Sequence, residues 1–218
     1  LDAIFERAGI KGADGFLFDL GVSSMQFDEA GRGFSFRADA PLDMRMDTEA
    51  EKDAAELINT ASEADLDRIL EEYGEERFHR RIASAIAEER KKARIETTGR
   101  LVDIIVHAMP YKMRHGRVHA ATRSFQAFRI AVNDELGSLG RAIDQSIGLL
   151  NTAGVICVIS YHSLEDRIVK NKFREARAQR ILELKNKKPV TPTEQEIGDN
   201  PRARSAKMRA ATKMAESG

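Results

Sequence analysis

The 218-residue sequence lacks the features that mark several large classes of protein. Its one cysteine, Cys157, lies in the apolar run GVICVIS, which excludes a disulfide framework and predicts a small core residue at this position. No apolar run approaches the roughly 18 residues of a membrane span, and no signal peptide is visible, so a cytoplasmic protein is expected. No pair among the five histidines and the cysteine has metal-ligand spacing, and we predict no metal site.

Glycine-rich phosphate loops are also missing. No G-x-G-x-x-G or Walker-type motif occurs, and GRGF at 31–34 neither follows a predicted strand nor opens a helix. On this basis alone, a nucleotide or a similar cofactor would lack its usual glycine cradle. What is present is an ordinary globular composition, with 42% hydrophobic and 32% charged residues.

The formal net charge of zero hides an uneven distribution along the chain. Residues 1–75 hold 7 Lys and Arg against 19 Asp and Glu, whereas 76–166 hold 14 against 10 and 167–218 hold 14 against 6. Basic residues concentrated in this way bind polyanions such as RNA, because phosphate neutralisation supplies affinity without regard to sequence. Solvated helix faces give the same pattern, and charge alone favours that simpler interpretation.

The first half of the chain predicts a helix, a strand, a loop and then a helical region. LDAIFERAG is a helix that Gly9 ends, and the continuous apolar run at 16–20 predicts a strand covered on both faces. The irregular stretch 24–47 contains three phenylalanines and three methionines, which favours an ordered loop. Residues 53–110 have helical periodicity, with Ser62 and Asp65 as a capping pair.

The second half predicts a return to α/β structure. One long helical segment, HAATRSFQAFRIAVNDELGSLGRAIDQSIGLL, precedes a buried strand that ends near Ser160, and HSLEDRIVKNKFREARAQR is again helical. The end of the chain predicts two closing strands joined by a proline-containing excursion. Alternating helices and strands favour the α/β class.

Polar side chains follow both predicted strands where each one ends. If these strands are neighbours, their exits face each other across one crevice, which is where open α/β sheets bind ligands. The residues concerned are Asp19, Ser23 and Ser24 on one side and Ser160, Tyr161, His162 and Ser163 on the other. Ser163 also has the sequence of a helix N-cap, with Asp166 three residues later completing a capping box.

Several long segments together resemble one family. DGFLFDLGVSSMQFDEAGRGFSFRADAPLDMRMD, ATRSFQAFRIAVNDEL, ISYHSLEDRIVK and NPRARSAKMRAA, in this order, are similar to the bacterial small-subunit ribosomal RNA cytosine-N4 methyltransferases, the RsmH or MraW family. The resemblance implies a partial class I, Rossmann-like methyltransferase sheet with an inserted all-helical subdomain. It also implies a division into core residues 1–46, a helical substrate-recognition insert at 47–119, and further core at 120–218.

The same resemblance implies S-adenosyl-L-methionine as the methyl donor and 16S ribosomal RNA of the small ribosomal subunit as the partner. Asp19 and Gln26 match the family's cofactor contacts, and Asp19, Ser23, Ser24, His162 and Ser163 are expected to surround the methyl-transfer partners. The cytosine must leave its stack to reach such a site. The expected RNA contacts are Arg77, Arg80, Arg81, Lys91, Lys92, Arg94 and Arg123.

The sequence departs from the family at its start, because family members begin with further strands and a glycine-rich cofactor loop. We therefore expect the 218-residue chain, expressed by itself, to bind S-adenosylmethionine undetectably and to self-associate, as in a homodimer, through the uncovered edge of the strand at 16–20. A non-catalytic RNA-binding fragment of such an enzyme is the alternative function. A DNA amino-methyltransferase is disfavoured, since the (Ser/Asn/Asp)-Pro-Pro-aromatic motif is absent.

Overall fold

A computed structural model describes residues 1–21, 30–36, 38–114 and 118–215. The chain divides into two compact units, one formed by Leu1–Gly21 with Leu136–Gly218 and the other by Val22–Glu135. The helices of the described residues are α1 (Asp2–Ala8), α2 (Ala54–Thr60), α3 (Glu63–Glu72), α4 (His79–Lys92), α5 (Thr98–Ala108), α6 (Thr122–Asn133), α7 (Glu135–Leu149), α8 (Ser163–Ala178) and α9 (Glu194–Asp199). The strands are β1 (Ala13–Asp19), β2 (Leu150–Ser160), β3 (Leu182–Leu184) and β4 (Lys207–Lys213).

All four described strands form one sheet, in the order β1-β2-β4-β3. β1 and β2 are parallel, whereas β4 is antiparallel to both β2 and β3. The predicted strand ending at Ser160 and the two predicted closing strands are confirmed, and α9 lies in the proline-containing connection between β3 and β4. The mixed α/β class is therefore confirmed, while the class I arrangement and the inserted subdomain stay predictions.

The core of the first unit lies between the sheet and the helices α7 and α8. Alternate residues of β2, Ile156 and Val158, are buried together with Ile143 from α7 and Phe173 from α8. Phe16 of β1 packs against the same cluster. This alternation is the period-2 pattern of a strand with one covered face.

β1 differs from its prediction as a strand covered on both faces. Leu17 is 70% exposed, whereas Phe16 and Phe18 on either side of it are partly buried. Within the described residues β1 pairs with β2 alone, so it is an edge strand. The exposure of Leu17 shows that no described element covers the second face of β1. An apolar run shows that a strand favours burial, but it does not show which neighbours supply that burial.

The unit Val22–Glu135 has a helical core of its own. Its largest fully buried side chains include Ile58, Leu66, Ile86, Leu101 and Phe128, which come from α2 to α6 in turn. The predicted capping pair is confirmed, because Ser62 Oγ accepts a hydrogen bond from the Asp65 N–H at 3.0 Å. None of the helices in the described part of the chain has the length and hydrophobicity of a transmembrane segment.

The predicted long helical segment is two helices. α6 ends at Asn133, and Asp134 adopts a left-handed conformation (φ 45°, ψ 42°) before α7 begins at Glu135. Asp is among the few side chains that enter this region readily, and a left-handed residue ends an α-helix. The apolar periodicity continues through both helices, so periodicity alone did not indicate the break. The predicted division into domains at 1–46, 47–119 and 120–218 concerns function and stays a prediction.

Candidate active site

The two polar strand exits meet at one edge of the sheet. Asp19 is in register with Ile159 in the parallel β1–β2 pair, and the Leu20 N–H donates to the Ile159 carbonyl at 3.0 Å. Asp19 therefore lies beside the start of the YHS sequence that follows β2. Gly21 has φ 96°, a backbone conformation that favours glycine, as the chain leaves β1. Ser23, Ser24 and Gln26 lie outside the described residues.

A hydrogen bond connects the two exits directly. The Tyr161 hydroxyl donates to Asp19 Oδ1 at 2.9 Å. Burial, then the hydrogen bond to Asp19 and the Asp19 charge, raise the pKa of Tyr161 to about 12. Tyr161 is consequently protonated at neutral pH and remains a donor, which fixes one oxygen of an otherwise exposed carboxylate.

His162, and not Ser163, is the N-cap of α8. The His162 backbone is extended (φ −139°, ψ 168°), and its Nδ1 accepts a long hydrogen bond of 3.4 Å from the Glu165 N–H. The predicted capping box of Ser163 and Asp166 is therefore wrong by one residue. Glu165 takes the acidic position because its carboxylate reaches back to the cap, whereas Asp166 engages a different partner. Ser163 is exposed in the first turn of the helix.

Glu165 is the residue of this site that sequence reasoning missed. It is 3% exposed, and its Oε2 accepts hydrogen bonds from the N–H groups of Tyr161 (2.8 Å) and His162 (3.2 Å). Burial raises the pKa of Glu165, but the His162 ring and these two N–H groups lower it by more, so the carboxyl has a pKa below its ordinary value. An ionised, buried carboxylate thus holds the backbone of both polar residues that follow β2.

A second acid, Asp166, anchors α8 to the sheet. Arg209 on β4 donates to it twice, from Nε to Oδ1 at 2.7 Å and from Nη2 to Oδ2 at 3.1 Å, and both side chains are only 14% exposed. Burial raises the pKa of Asp166, but Arg209 and the more distant Lys207 lower it by more, to a net value below the ordinary one. The bidentate pair therefore fixes α8, whose N-cap is His162, against β4.

The predicted RNA contacts all lie in the unit Val22–Glu135, and all are exposed. Lys91 and Lys92 form ion pairs one turn back along α4, with Glu88 and Glu89 at 2.5 and 2.6 Å. Arg94 pairs with Glu56 at 2.7 Å. These three predicted contacts, at and just after the end of α4, thus already have acidic partners.

The remaining predicted RNA contacts form no ion pair with a carboxylate within the described residues. Within the described residues, Arg80 and Arg81 at the start of α4 have no carboxylate partner. Arg77 lies 5.8 Å from the centroid of the Phe78 ring, and Arg123 donates to the Glu75 carbonyl at 3.0 Å. Arg80 and Arg81 are therefore the predicted contacts with charge most available to phosphate.

The loop segment PLDMRMD (41–47) is ordered, as predicted for this region. Asn133 of α6 donates to the Met44 carbonyl at 2.7 Å and accepts from the Met46 N–H at 2.6 Å. Arg45 forms a bidentate pair with Asp43, whose pKa is lowered chiefly by this hydrogen bonding. Met44 is buried with φ 61°, a strained conformation that persists only where its surroundings impose it.

Gly33 allows two parts of this loop to pack closely against each other. Its φ is +69°, and a Cβ at this position would lie 2.5 Å from the Pro41 carbonyl oxygen and 2.9 Å from the Asp43 nitrogen. Only glycine lets the backbone at position 33 approach the backbone at 41–43 so closely. The GRGF sequence is thus a packing element of the loop.

Comparison with known proteins identifies the family of the chain. The model of the MraW methylase family matches residues 1–214. The chain is 49% identical over 214 residues to ribosomal RNA small subunit methyltransferase H of Persephonella marina, covering 98% of this chain and 73% of that protein. The protein of the same name from Geobacter sulfurreducens is 51% identical (97% and 73% covered), and that of Synechocystis sp. is 55% identical (92% and 64% covered). The resemblance found in the sequence motifs is thereby confirmed, and the chain belongs to the MraW methylase family.

Proposed function

We propose that this protein transfers a methyl group from S-adenosyl-L-methionine to the exocyclic N4 amine of a cytosine in 16S ribosomal RNA. The observation that carries the proposal is the family match over residues 1–214, with relatives that are named as methyltransferases of small-subunit ribosomal RNA. The paired polar exits of β1 and β2 support it, because they supply a ligand-binding edge of the expected type. The class I sheet, the helical insert at 47–119 and a cytoplasmic site of action are parts of the same proposal.

The chemistry requires groups that accept hydrogen bonds. The N4 amine of cytosine is a poor nucleophile, since its lone pair is delocalised into the ring, and orientation by fixed acceptors therefore contributes much of the rate. Asp19 presents an exposed carboxylate whose position Tyr161 fixes. Ser23 and Ser24 on the β1 side and His162 and Ser163 on the β2 side are the proposed further neighbours of the reacting groups.

The methyl donor, when bound, supplies a methyl group on a positively charged sulfur. Asp19 suits such a ligand, because its exposed carboxylate accepts hydrogen bonds from hydroxyl or amino groups. We assign Asp19 and Gln26 to cofactor binding on the basis of the family motif. Tyr161 holds Asp19, and Glu165 holds the backbone at Tyr161.

The helical unit Val22–Glu135 is proposed to bind the surrounding RNA. Its exposed cations are suited to phosphate contacts, which position a nucleic acid without reading its sequence. The target cytosine is proposed to be unstacked before transfer.

A non-catalytic RNA-binding role is the second candidate, favoured by the exposed cations Arg80 and Arg81, which have no carboxylate partner within the described residues. Calorimetric titration with S-adenosylmethionine separates the two, because an enzyme requires measurable binding and the alternative requires none. The titration is carried out on the protein expressed from its natural gene. Methyl transfer to ribosomal RNA by the same preparation excludes the second candidate.

We expect the proposed cations to differ in their contribution to RNA binding. Reversing charge at Arg80, Arg81, Lys91 and Lys92 together weakens binding and flattens its salt dependence, by about one unit of slope for each lost phosphate contact. Arg80→Glu with Arg81→Glu has the larger effect, because Lys91 and Lys92 already pair with Glu88 and Glu89. The measurement is the affinity for a fragment of small-subunit ribosomal RNA between about 50 and 200 mM salt. A slope identical to that of the unaltered chain would show that these side chains are only solvated surface.

A further inference from the structure

Three exposed apolar residues, Tyr111, Met113 and Val118, lie close together in the chain. Tyr111 is 73% exposed, Met113 47% and Val118 63%, and these are the large hydrophobic side chains exposed in the described part of Val22–Glu135. The other large apolar residues in the described part of this unit are buried or pack against its core. A group of exposed apolar residues confined to one short segment indicates a contact surface.

A neighbouring arginine side chain contacts the Tyr111 ring. The Arg114 guanidinium is 5.9 Å from the ring centroid, within cation–π distance. Arg114 is itself fixed, because Nε donates to the Met109 carbonyl and Nη2 to the His107 carbonyl, both at 3.1 Å, at the end of α5. One face of the ring is thus held near an anchored cation, while most of its surface stays open to solvent.

The backbone under this ring is a short 3₁₀ turn, Tyr111–Met113. The Met113 N–H donates to the Pro110 carbonyl at 2.8 Å, and the Arg114 N–H donates to the Tyr111 carbonyl at 3.1 Å. Pro110 fixes the entry to the turn. The aromatic surface is therefore preorganised, which lowers the entropy lost when a ligand binds.

The cations next to this ring select the class of ligand. Arg114 lies at the ring, Lys112 is the next residue in the chain, and residues 104–133 contain no Asp or Glu. An exposed aromatic ring beside two cations suits a polyanion that has flat, stackable groups, which is the chemistry of single-stranded RNA. A second copy of this chain would bring the same positive charge against it, which disfavours self-association at this surface.

We propose that Tyr111 is a stacking platform for an unpaired base of the RNA, with Lys112 beside the adjoining phosphate. The proposal rests on the RNA class of the proposed function and adds a specific contact that is separate from the strand-exit site. Stacking is tolerant of base identity, so the platform positions the RNA and does not read its sequence.

The test uses the 218-residue chain and a single-stranded RNA of about 12 nucleotides with 2-aminopurine at its centre, whose fluorescence falls when the base stacks on an aromatic ring. Unaltered chain quenches the probe. Tyr111→Ala weakens binding by about 5- to 100-fold and abolishes the quenching, whereas Tyr111→Phe stays within about twofold of the unaltered chain. Ile4→Ala, which also shortens an exposed apolar side chain, leaves both readouts unchanged.

Three results would contradict the proposed stacking role of Tyr111. The unaltered chain does not bind the RNA, Tyr111→Ala binds it as tightly as the unaltered chain, or Tyr111→Phe and Tyr111→Ala lose the same amount of RNA affinity. Equal RNA binding together with a change in sedimentation of Tyr111→Ala would assign the surface to protein association instead. The outcome is distinguishable from failure of the proposed function, because the assay involves no methyl transfer. RNA binding that depends on Tyr111, together with a lack of methyl transfer by the protein expressed from its natural gene, contradicts the enzyme alone. RNA binding that is independent of Tyr111 contradicts the platform alone.

Discussion

Replacing Asp19 by Ala is expected to lower methyl transfer to small-subunit ribosomal RNA by about 100- to 1,000-fold, the cost of losing one preorganised polar group at a reacting centre. Asp19 lies exposed at the exit of β1 and has no packing role there, so the fold is retained. The loss appears in both cofactor affinity and turnover, because the same carboxylate is proposed to border both ligands.

The matched control for this variant is Asp14→Ala. Asp14 is an exposed aspartate near the opposite end of the same strand, where it accepts a hydrogen bond from Asn151 at 2.8 Å. Tyr161→Phe is a graded variant, which keeps the ring and removes the donor to Asp19, and we expect a smaller loss of about tenfold. All are made in the protein expressed from its natural gene. Unchanged cofactor affinity and turnover in Asp19→Ala would remove Asp19 from the site.

Replacing Arg209 by Ala is expected to lower the free energy of unfolding by about 2–4 kcal/mol, since it leaves the partly buried Asp166 carboxylate without its bidentate partner. Lys172→Ala is the control, because Lys172 also joins two elements by an ion pair, with Asp144 at 2.5 Å, but that pair is more exposed. Its loss costs less than about 1 kcal/mol. Urea unfolding of the 218-residue chain measures both. Equal, small losses would show that the Arg209 pair does not anchor α8.

The pH dependence of this effect has a definite sign. The folded state lowers the pKa of Asp166 below the ordinary value of 3.8, so the unfolded chain binds the proton more readily. The stabilisation by the pair is fully present above that value and is lost as the pH falls through it and below. The difference in stability between the unaltered chain and Arg209→Ala is therefore expected to shrink on acidification.

Much of the sheet was predictable because its signals are local. Gly9 ends α1, as predicted from a glycine that follows a periodic apolar segment. Ser160 ends β2, as predicted from an apolar run that polar residues follow. Both signals involve only residues that are neighbours in the chain. The exposure of Leu17 was not predictable in the same way, because it depends on which strands lie beside β1.

The sequence predicted that Asp19 and Tyr161 lie near each other, but it did not indicate the part that Glu165 plays. Asp19 and Tyr161 were placed at facing strand exits from the sequence, but their hydrogen bond depends on the register of β1 and β2. The roles of Ser163 and Asp166 were wrong, because a histidine at the cap is rare and the spacing from His162 to Glu165 is the same three residues. Arg209 follows Asp166 by 43 residues, and only the antiparallel pairing of β4 with β2 brings the two together.

The most direct test of the account is the identity of the methylated nucleoside. Small ribosomal subunits from cells that lack this gene are incubated with the protein expressed from its natural gene and with S-adenosylmethionine that carries a labelled methyl group. The ribosomal RNA is then digested to nucleosides and analysed by mass spectrometry. The account predicts label on the N4 atom of cytidine, dependent on Asp19. Label confined to another atom or nucleoside, or ribosomal RNA without label, would contradict it.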